Sequence, residues 1–209
     1  AAYCPILPVT FVTSSLRALR NITVFAPKDE AELQQGLATA LDPGASFSLR
    51  YPRGAGVGAT LEKEPEPLAV GVAEYLARAD GGIAVIALGN CVVASLKAAL
   101  TVGEELGRPI TVLNARWVKP LPERELREIL AGHSHVLLVE EGTLSGGFCS
   151  AVLEFWSDND LVNGHRIRRL GLPDRFIEHG PANALRNRLG LDADGIARPL
   201  RELLHCAKP

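Results

Sequence analysis

The stretch IAVIAL, residues 83–88, decides the fold of this chain. An unbroken apolar run of this length is typical of a strand covered on both faces, as in a parallel sheet. After a turn at Gly89 and Asn90, a helical pattern continues to Gly107. Its apolar members, spaced in the helical period, are Val92, Val93, Leu96, Leu100 and Leu106. The run and the pattern together predict a strand followed by a helix.

The same alternation continues towards the carboxyl end. Further strands are predicted at 110–113, 136–139 and 167–170, with helices between them. Two terminal helices are predicted at 181–189 and 192–204, and Pro199 should kink the second helix or delay its start. Strands that alternate with helices predict a three-layer α/β fold with a mostly parallel sheet.

The alternation also extends towards the amino end. ITVF at 22–25 predicts a strand, and Asp29 with Glu32 has the spacing of a capping box at the start of a helix. Leu33, Leu37 and Leu41 place apolar side chains on one face of that helix, which Asp42–Gly44 should end. SFSLRY at 46–51 alternates polar and apolar residues and predicts a second strand.

A charged, proline-rich segment, EKEPEP at 62–67, separates these two sets of elements. Such a composition cannot pack a core and predicts an extended linker. The predicted organisation is therefore a leader at 1–20, the tail of a second α/β domain at 21–61, the linker, and the main α/β domain at 68–209.

Composition excludes several classes of function. The 209 residues carry 22 basic and 24 acidic side chains, a net charge of −2, whereas nucleic-acid binding needs a basic excess. No apolar run reaches the ~18 residues of a membrane span. The cysteines, at 4, 91, 149 and 206, lack the C-x-x-C spacing of a zinc site. We expect a cytoplasmic protein that binds neither nucleic acid nor membrane.

RYPRG at 50–54 is the strongest candidate for chemistry. It lies at the end of a predicted strand, and ligands in open α/β sheets gather at the carboxyl ends of strands. Arg50 and Arg53 beside a glycine-rich loop suit a phosphate or carboxylate, because guanidinium binds such groups in a bidentate manner. The alternative is a pair of surface arginines in ordinary ion pairs. GAGVG at 54–58 lacks the following helix of a dinucleotide-binding fingerprint.

Two further pairs of residues have alternative interpretations. Glu140 and Glu141 end a predicted strand before a glycine-rich connection, so they could perform acid–base chemistry, bind basic groups or cap the next helix. We favour a structural or interface role. Cys91 and Cys149 stand at predicted helix starts, where a thiol pKa can be lowered, but both also suit small buried apolar positions, which we favour.

The ordered motifs resemble one family along about nine-tenths of the chain. They are similar to the carboxy-terminal third of the 1-deoxy-D-xylulose-5-phosphate synthases, thiamine-diphosphate enzymes of the transketolase superfamily. The resemblance rests on APKDEAEL at 26–33, RYPRG at 50–54, NARWVKPL at 114–121, VEE at 139–141, GLPDRFIEHG at 171–180 and LGLD at 189–192. Residues 1–20 depart from the family pattern.

The resemblance implies an activity for the complete enzyme. That family condenses pyruvate with glyceraldehyde 3-phosphate, releases CO2 and works as a homodimer with thiamine diphosphate and Mg2+. Arg50 corresponds to the arginine that grips the aldehyde phosphate, and Arg53 is its neighbour. The diphosphate and metal motifs are missing, so we expect this chain alone to bind no cofactor and to be inactive. The family implies the cytoplasm, or the plastid stroma in a plant or alga.

Two other functions remain open at this point. The chain could be a non-catalytic α/β module that binds a partner or an anionic regulator. It could also be the carboxy-terminal part of a split thiamine-diphosphate enzyme of the transketolase or 2-oxoacid dehydrogenase β type, whose other chain holds the cofactor.

Overall fold

Two β-sheets organise the chain in a computed structural model that describes residues 12–41, 46–52, 54–175, 177–178 and 180–205. The strands are β1 (Ile22–Phe25), β2 (Ser46–Leu49), β3 (Glu74–Ala77), β4 (Ile83–Ala87), β5 (Thr111–Asn114), β6 (Trp117–Lys119), β7 (His135–Thr143) and β8 (Arg166–Leu172). The helices are α1 (Val12–Ala18), α2 (Glu30–Ala40), α3 (Cys91–Leu106), α4 (Glu123–Gly132), α5 (Phe148–Asp158), α6 (Ala182–Leu189) and α7 (Ala193–His205).

The larger sheet has five strands in the order β3-β5-β4-β7-β8. Its pairs are parallel except β3 with β5, which is antiparallel. The mostly parallel sheet predicted from the sequence is therefore confirmed. The edge strand β3 was not predicted, because Glu74–Ala77 is short and its EYLA sequence shows no sustained alternation.

Helices cover both faces of this sheet, as the three-layer prediction requires. β4 is buried along its whole length, and alternate residues enter the two cores. Ile83, Val85 and Ala87 pack with helices α3 and α7, whereas Ala84 and Ile86 pack with α4 and α5. A continuous apolar run is thus needed because neither face of β4 meets water.

The smaller sheet has the order β2-β1-β6 and joins the segments before and after the linker. β1 and β2 are parallel, and β6 pairs antiparallel with β1. The ring of Trp117 on β6 lies 4.7 Å from that of Phe25 and 6.0 Å from that of Phe47, centroid to centroid. The predicted domain boundary at 62–67 therefore falls between segments that share one sheet. Those linker residues form neither helix nor strand.

The start of α2 agrees with the sequence, but its buried face does not follow the leucines. The Asp29 side chain accepts a hydrogen bond from the Glu32 backbone N–H at 2.8 Å, as an N-cap should. Leu37 is 50% exposed and Leu41 is 83% exposed. Gly36 faces the sheet instead, since a Cβ there would lie 2.3 Å from the Phe25 ring. In α3, likewise, Leu100 is 57% exposed.

Several predicted boundaries shift. β2 ends at Leu49 instead of residue 51. β7 continues to Thr143, so residues 140–143, predicted as part of a glycine-rich connection, belong to the strand. Helix α7 begins at Ala193 and continues through Pro199, so the proline does not delay its start. The predicted helix stop at 42–44 lies outside the described residues.

Candidate functional site

The carboxyl ends of β4 and β7 form the point where the sheet reverses its order. From β4 the chain passes through α3 to β5 on one side, and from β7 it passes through α5 to β8 on the other. Ligands of open α/β sheets bind outside the strand ends at such a reversal. We call the region bounded by Leu88–Asn90, Glu140 and Glu141 the switch-point crevice.

Arg50 enters this crevice from the end of β2. Its backbone N–H donates to the Phe25 carbonyl at 2.8 Å, which continues the pairing of β1 with β2 by one residue. Its Nη2 donates to the backbone carbonyl of Glu141, and the residue is only 8% exposed. Burial lowers the pKa of the Arg50 guanidinium, and the nearby Glu141 carboxylate opposes that shift. The predicted anion-binding arginine is thus a buried side chain bonded to the protein.

The Glu141 side chain extends the same set of contacts. Its Oε2 accepts hydrogen bonds from Nδ2 of Asn90 and, at 3.3 Å, from Nε of Arg186 on α6. Arg186 also donates through Nη1 to Oδ1 of Asn183 at 3.2 Å. Glu141 therefore ties the ends of β4 and β7 to helix α6. Neither Asn90 nor Arg186 belongs to a recognisable sequence motif, so sequence reasoning missed both.

Glu140 caps helix α5. Its two carboxylate oxygens accept hydrogen bonds from the backbone N–H groups of Phe148 and Cys149, at 2.9 and 2.8 Å. The residue is 1% exposed, and burial raises the pKa of its carboxyl group. Of the roles open from the sequence, capping the following helix is the one that this geometry supports, because it satisfies free N–H groups at the helix start.

A second polar cluster lies between α2 and the larger sheet. The Glu32 carboxylate accepts hydrogen bonds from Nε of Arg116 at 2.6 Å and from Nδ2 of Asn114 at 2.8 Å. Lys28 donates to the same carboxylate through Nζ at 3.2 Å and contacts Glu74 at 2.9 Å. These groups lie on elements from both sides of the linker, so the cluster fastens one segment to the other.

The other predicted site residues have different outcomes. Arg53 lies outside the described residues, so its role stays a prediction. Cys91 and Cys149 are 2% and 0% exposed, and burial raises the pKa of both thiols, so the buried apolar interpretation is confirmed. Within the described part of the chain, no three or more His, Cys, Asp and Glu side chains group to hold a metal ion. No helix there is long and apolar enough to cross a membrane.

Comparisons with known proteins agree with this architecture. Residues 71–196 match the family model described as transketolase, C-terminal domain. The chain is 50% identical over 193 residues to the 1-deoxy-D-xylulose-5-phosphate synthase of Nitratidesulfovibrio vulgaris strain DP4, covering 92% of this chain and 30% of that protein. With the synthase of Aquifex aeolicus strain VF5, the identity is 41% over 194 residues, covering 93% of this chain and 30% of that protein.

Solved structures show the same fold. A chain titled "Split gene transketolase, inactive beta4 tetramer" superposes with a TM-score of 0.83 at 25% identity, covering 95% of this chain and 63% of that one. A transketolase from Campylobacter jejuni gives a TM-score of 0.61 at 20% identity, covering 90% of this chain and 27% of that one. This chain spans about 30% of the length of the curated relatives that it matches.

Proposed function

This chain belongs to the transketolase C-terminal domain family, and from that premise we propose that it is the carboxy-terminal portion of a 1-deoxy-D-xylulose-5-phosphate synthase. The 41–50% identity to synthases of that name, across more than nine-tenths of the chain, supports the proposal. The complete enzyme would condense pyruvate with glyceraldehyde 3-phosphate to 1-deoxy-D-xylulose 5-phosphate and CO2, as a cytoplasmic homodimer.

The carbon–carbon bond chemistry of that reaction is supplied by thiamine diphosphate with Mg2+ when they are bound. The described residues offer no grouping that fits the metal, so this segment would assist the reaction by recognising substrate. Its candidate groups are the arginines of RYPRG, because a doubly charged phosphate monoester is best held by guanidinium. We propose that the isolated chain is inactive.

The burial of Arg50 is the observation that supports different roles for Arg50 and Arg53. Its guanidinium donates to the Glu141 carbonyl and is almost wholly enclosed by protein. Tyr51, the next residue, is 57% exposed, so the chain emerges at the surface directly after Arg50. We propose that Arg50 fixes the start of the loop and that Arg53 carries the positive charge to the aldehyde phosphate. The resemblance alone assigns the phosphate first to Arg50.

Arg53→Ala in the complete synthase tests the proposal. A lost hydrogen bond to a charged group costs about 1.5–3 kcal/mol, which corresponds to a rise of roughly 10–150-fold in KM for glyceraldehyde 3-phosphate. KM for pyruvate should stay the same. Glyceraldehyde, which has no phosphate, is the matched substrate: its kcat/KM should be equal in the variant and the parent enzyme.

Two results would contradict this assignment. An unchanged dependence on glyceraldehyde 3-phosphate would remove Arg53 from the phosphate site. A large rise in the same KM for Arg50→Ala, with thermal stability unaltered, would return the phosphate contact to Arg50.

One comparison favours a second candidate, a split enzyme. The solved chain with the TM-score of 0.83 is titled as a split gene transketolase, and this chain covers 63% of it. In that arrangement a separate polypeptide would carry the thiamine diphosphate motifs. Affinity purification of this protein from its native host tests the idea, since a second chain in equal amount should accompany it. Recovery without such a chain would sink this candidate.

A further inference from the structure

We propose that the switch-point crevice is a guanidinium-binding site and that its resident ligand is the side chain of Arg50. In an open α/β sheet this crevice is where a small molecule ordinarily binds. Here an arginine from the segment before the linker occupies it. By binding Arg50, the crevice would therefore hold the segment before the linker against the larger sheet.

The Arg50 guanidinium contacts the ends of both central strands, as a small ligand bound at this position would. Its Nη2 donates to the Glu141 carbonyl, a fixed acceptor at the end of β7. Its Nη1 lies against the turn after β4, where a Cβ on Gly89 would be 3.8 Å away. Gly89 has a φ of +62°, a left-handed conformation that glycine adopts without strain. The guanidinium thus lies between the end of β7 and the turn after β4.

Carboxylates give the crevice its preference for a cation. Glu141 and Glu140 both favour the charged form of Arg50, whereas Arg186, which together with Asn90 holds the Glu141 carboxylate in place, opposes it. A buried cation without such groups would be costly. The planar fork of guanidinium can address several acceptors at once, which an ammonium group cannot do with the same geometry.

These contacts of Arg50 also fix the start of the loop that follows it. Strand β2 ends at Leu49, and the backbone N–H of Arg50 remains bonded to Phe25. Both ends of Arg50 are therefore held, the backbone by β1 and the side chain by β7. Loss of the side chain should free the loop that follows and open a cavity of guanidinium shape.

Chemical rescue of Arg50→Ala in the intact protein tests this proposal. The substitution should lower Tm by roughly 5 °C or more, because it leaves the Glu141 carbonyl without its donor and opens a cavity in place of a buried side chain. Millimolar ethylguanidinium, which reproduces the end of the arginine side chain, should restore part of that loss by binding the folded state. Ethylammonium has the same charge without the fork and should restore much less. The exposed Arg188→Ala, whose partner Glu178 is 88% exposed, serves as the matched control and should show neither loss nor rescue.

A second variant covers the case in which Arg50→Ala does not fold. Arg50→Lys keeps the charge and most of the stem, so it should fold with an intermediate Tm and show no response to ethylguanidinium. The proposal is overturned if ethylammonium rescues Arg50→Ala as well as ethylguanidinium does, if neither compound raises its Tm, or if Arg50→Lys matches the parent. The readout is thermal, so the result does not depend on the proposed reaction.

Discussion

The guanidinium of Arg116 and the carboxylate of Glu32 form a buried ion pair, Nε to Oε1 at 2.6 Å, between residues 84 positions apart. The Glu32 side chain is fully enclosed, and that of Arg116 is 14% exposed. Asn114 and Lys28 donate to the same carboxylate oxygen. Helix α2 is thereby fastened to the end of β5 by several hydrogen bonds to one negative charge.

We expect Glu32→Gln to destabilise the protein by about 1.5–3 kcal/mol, because Arg116 and Lys28 lose a buried charged acceptor and keep their ion pairs with Glu74. Urea unfolding, followed by circular dichroism, measures the loss. Glu178→Gln is the matched control: its carboxylate, 88% exposed, faces Arg188 at 3.5 Å, and surface pairs of that kind contribute about 0–1 kcal/mol. Equal losses in the two variants would show that the buried pair contributes no more than a surface one.

Glu140 should make stability depend on pH in a defined direction. Its carboxyl pKa is raised in the folded state, so its stabilising contribution is present below the ordinary value of 4.5 and is lost as pH rises through the raised pKa. The free energy of unfolding of the parent, minus that of Glu140→Gln, should therefore fall as pH increases across that window. Denaturant titrations at a series of pH values measure it, and a difference that rises with pH would contradict the assignment.

Cys91 and Cys149 should resist alkylation in the native protein. Burial raises both thiol pKa values, which leaves little of the reactive thiolate at neutral pH, and neither side chain reaches solvent. Iodoacetamide treatment followed by peptide mass mapping should find both unmodified, and modified after denaturation in urea. Rapid native labelling of either one would show that its helix start opens to solvent.

The isolated chain should show no thermal shift with thiamine diphosphate and Mg2+. A ligand that binds the native state must raise Tm, and the sequence lacks the motifs that hold the diphosphate and metal in the resembled family. Differential scanning fluorimetry across a range of cofactor concentrations makes the measurement. A saturable rise in Tm would mean that these 209 residues contain a cofactor site of their own.

The centre of the larger sheet could be predicted because β4, β5 and nearly all of β7 are buried. IAVIAL and VLLV have no polar residue, and few other structures accommodate such runs. β6 was missed because Trp117–Lys119 is only three residues long and depends on pairing with β1, far away in sequence. The face of α2 was misjudged since a pattern of leucines shows which residues share a face and not which neighbour that face meets.

The site was predictable in its location and not in its contacts. Arg50 could be identified because its residue type and its place after a strand are both visible in the sequence. Its partner Glu141 was named, but the bond uses a backbone carbonyl 91 residues away, which leaves no trace in residue type. Asn90 and Arg186 participate through tertiary geometry alone.

Strand β2 stands at the outer edge of the smaller sheet, with no strand on its far side among the residues described. An edge of this kind presents backbone groups that can pair with another chain, and Leu37 on α2 and Leu41 just after it are exposed. The 209-residue chain produced on its own should therefore form oligomers whose size rises with protein concentration. A charged substitution of an exposed leucine, such as Leu41→Lys, should increase the monomeric fraction.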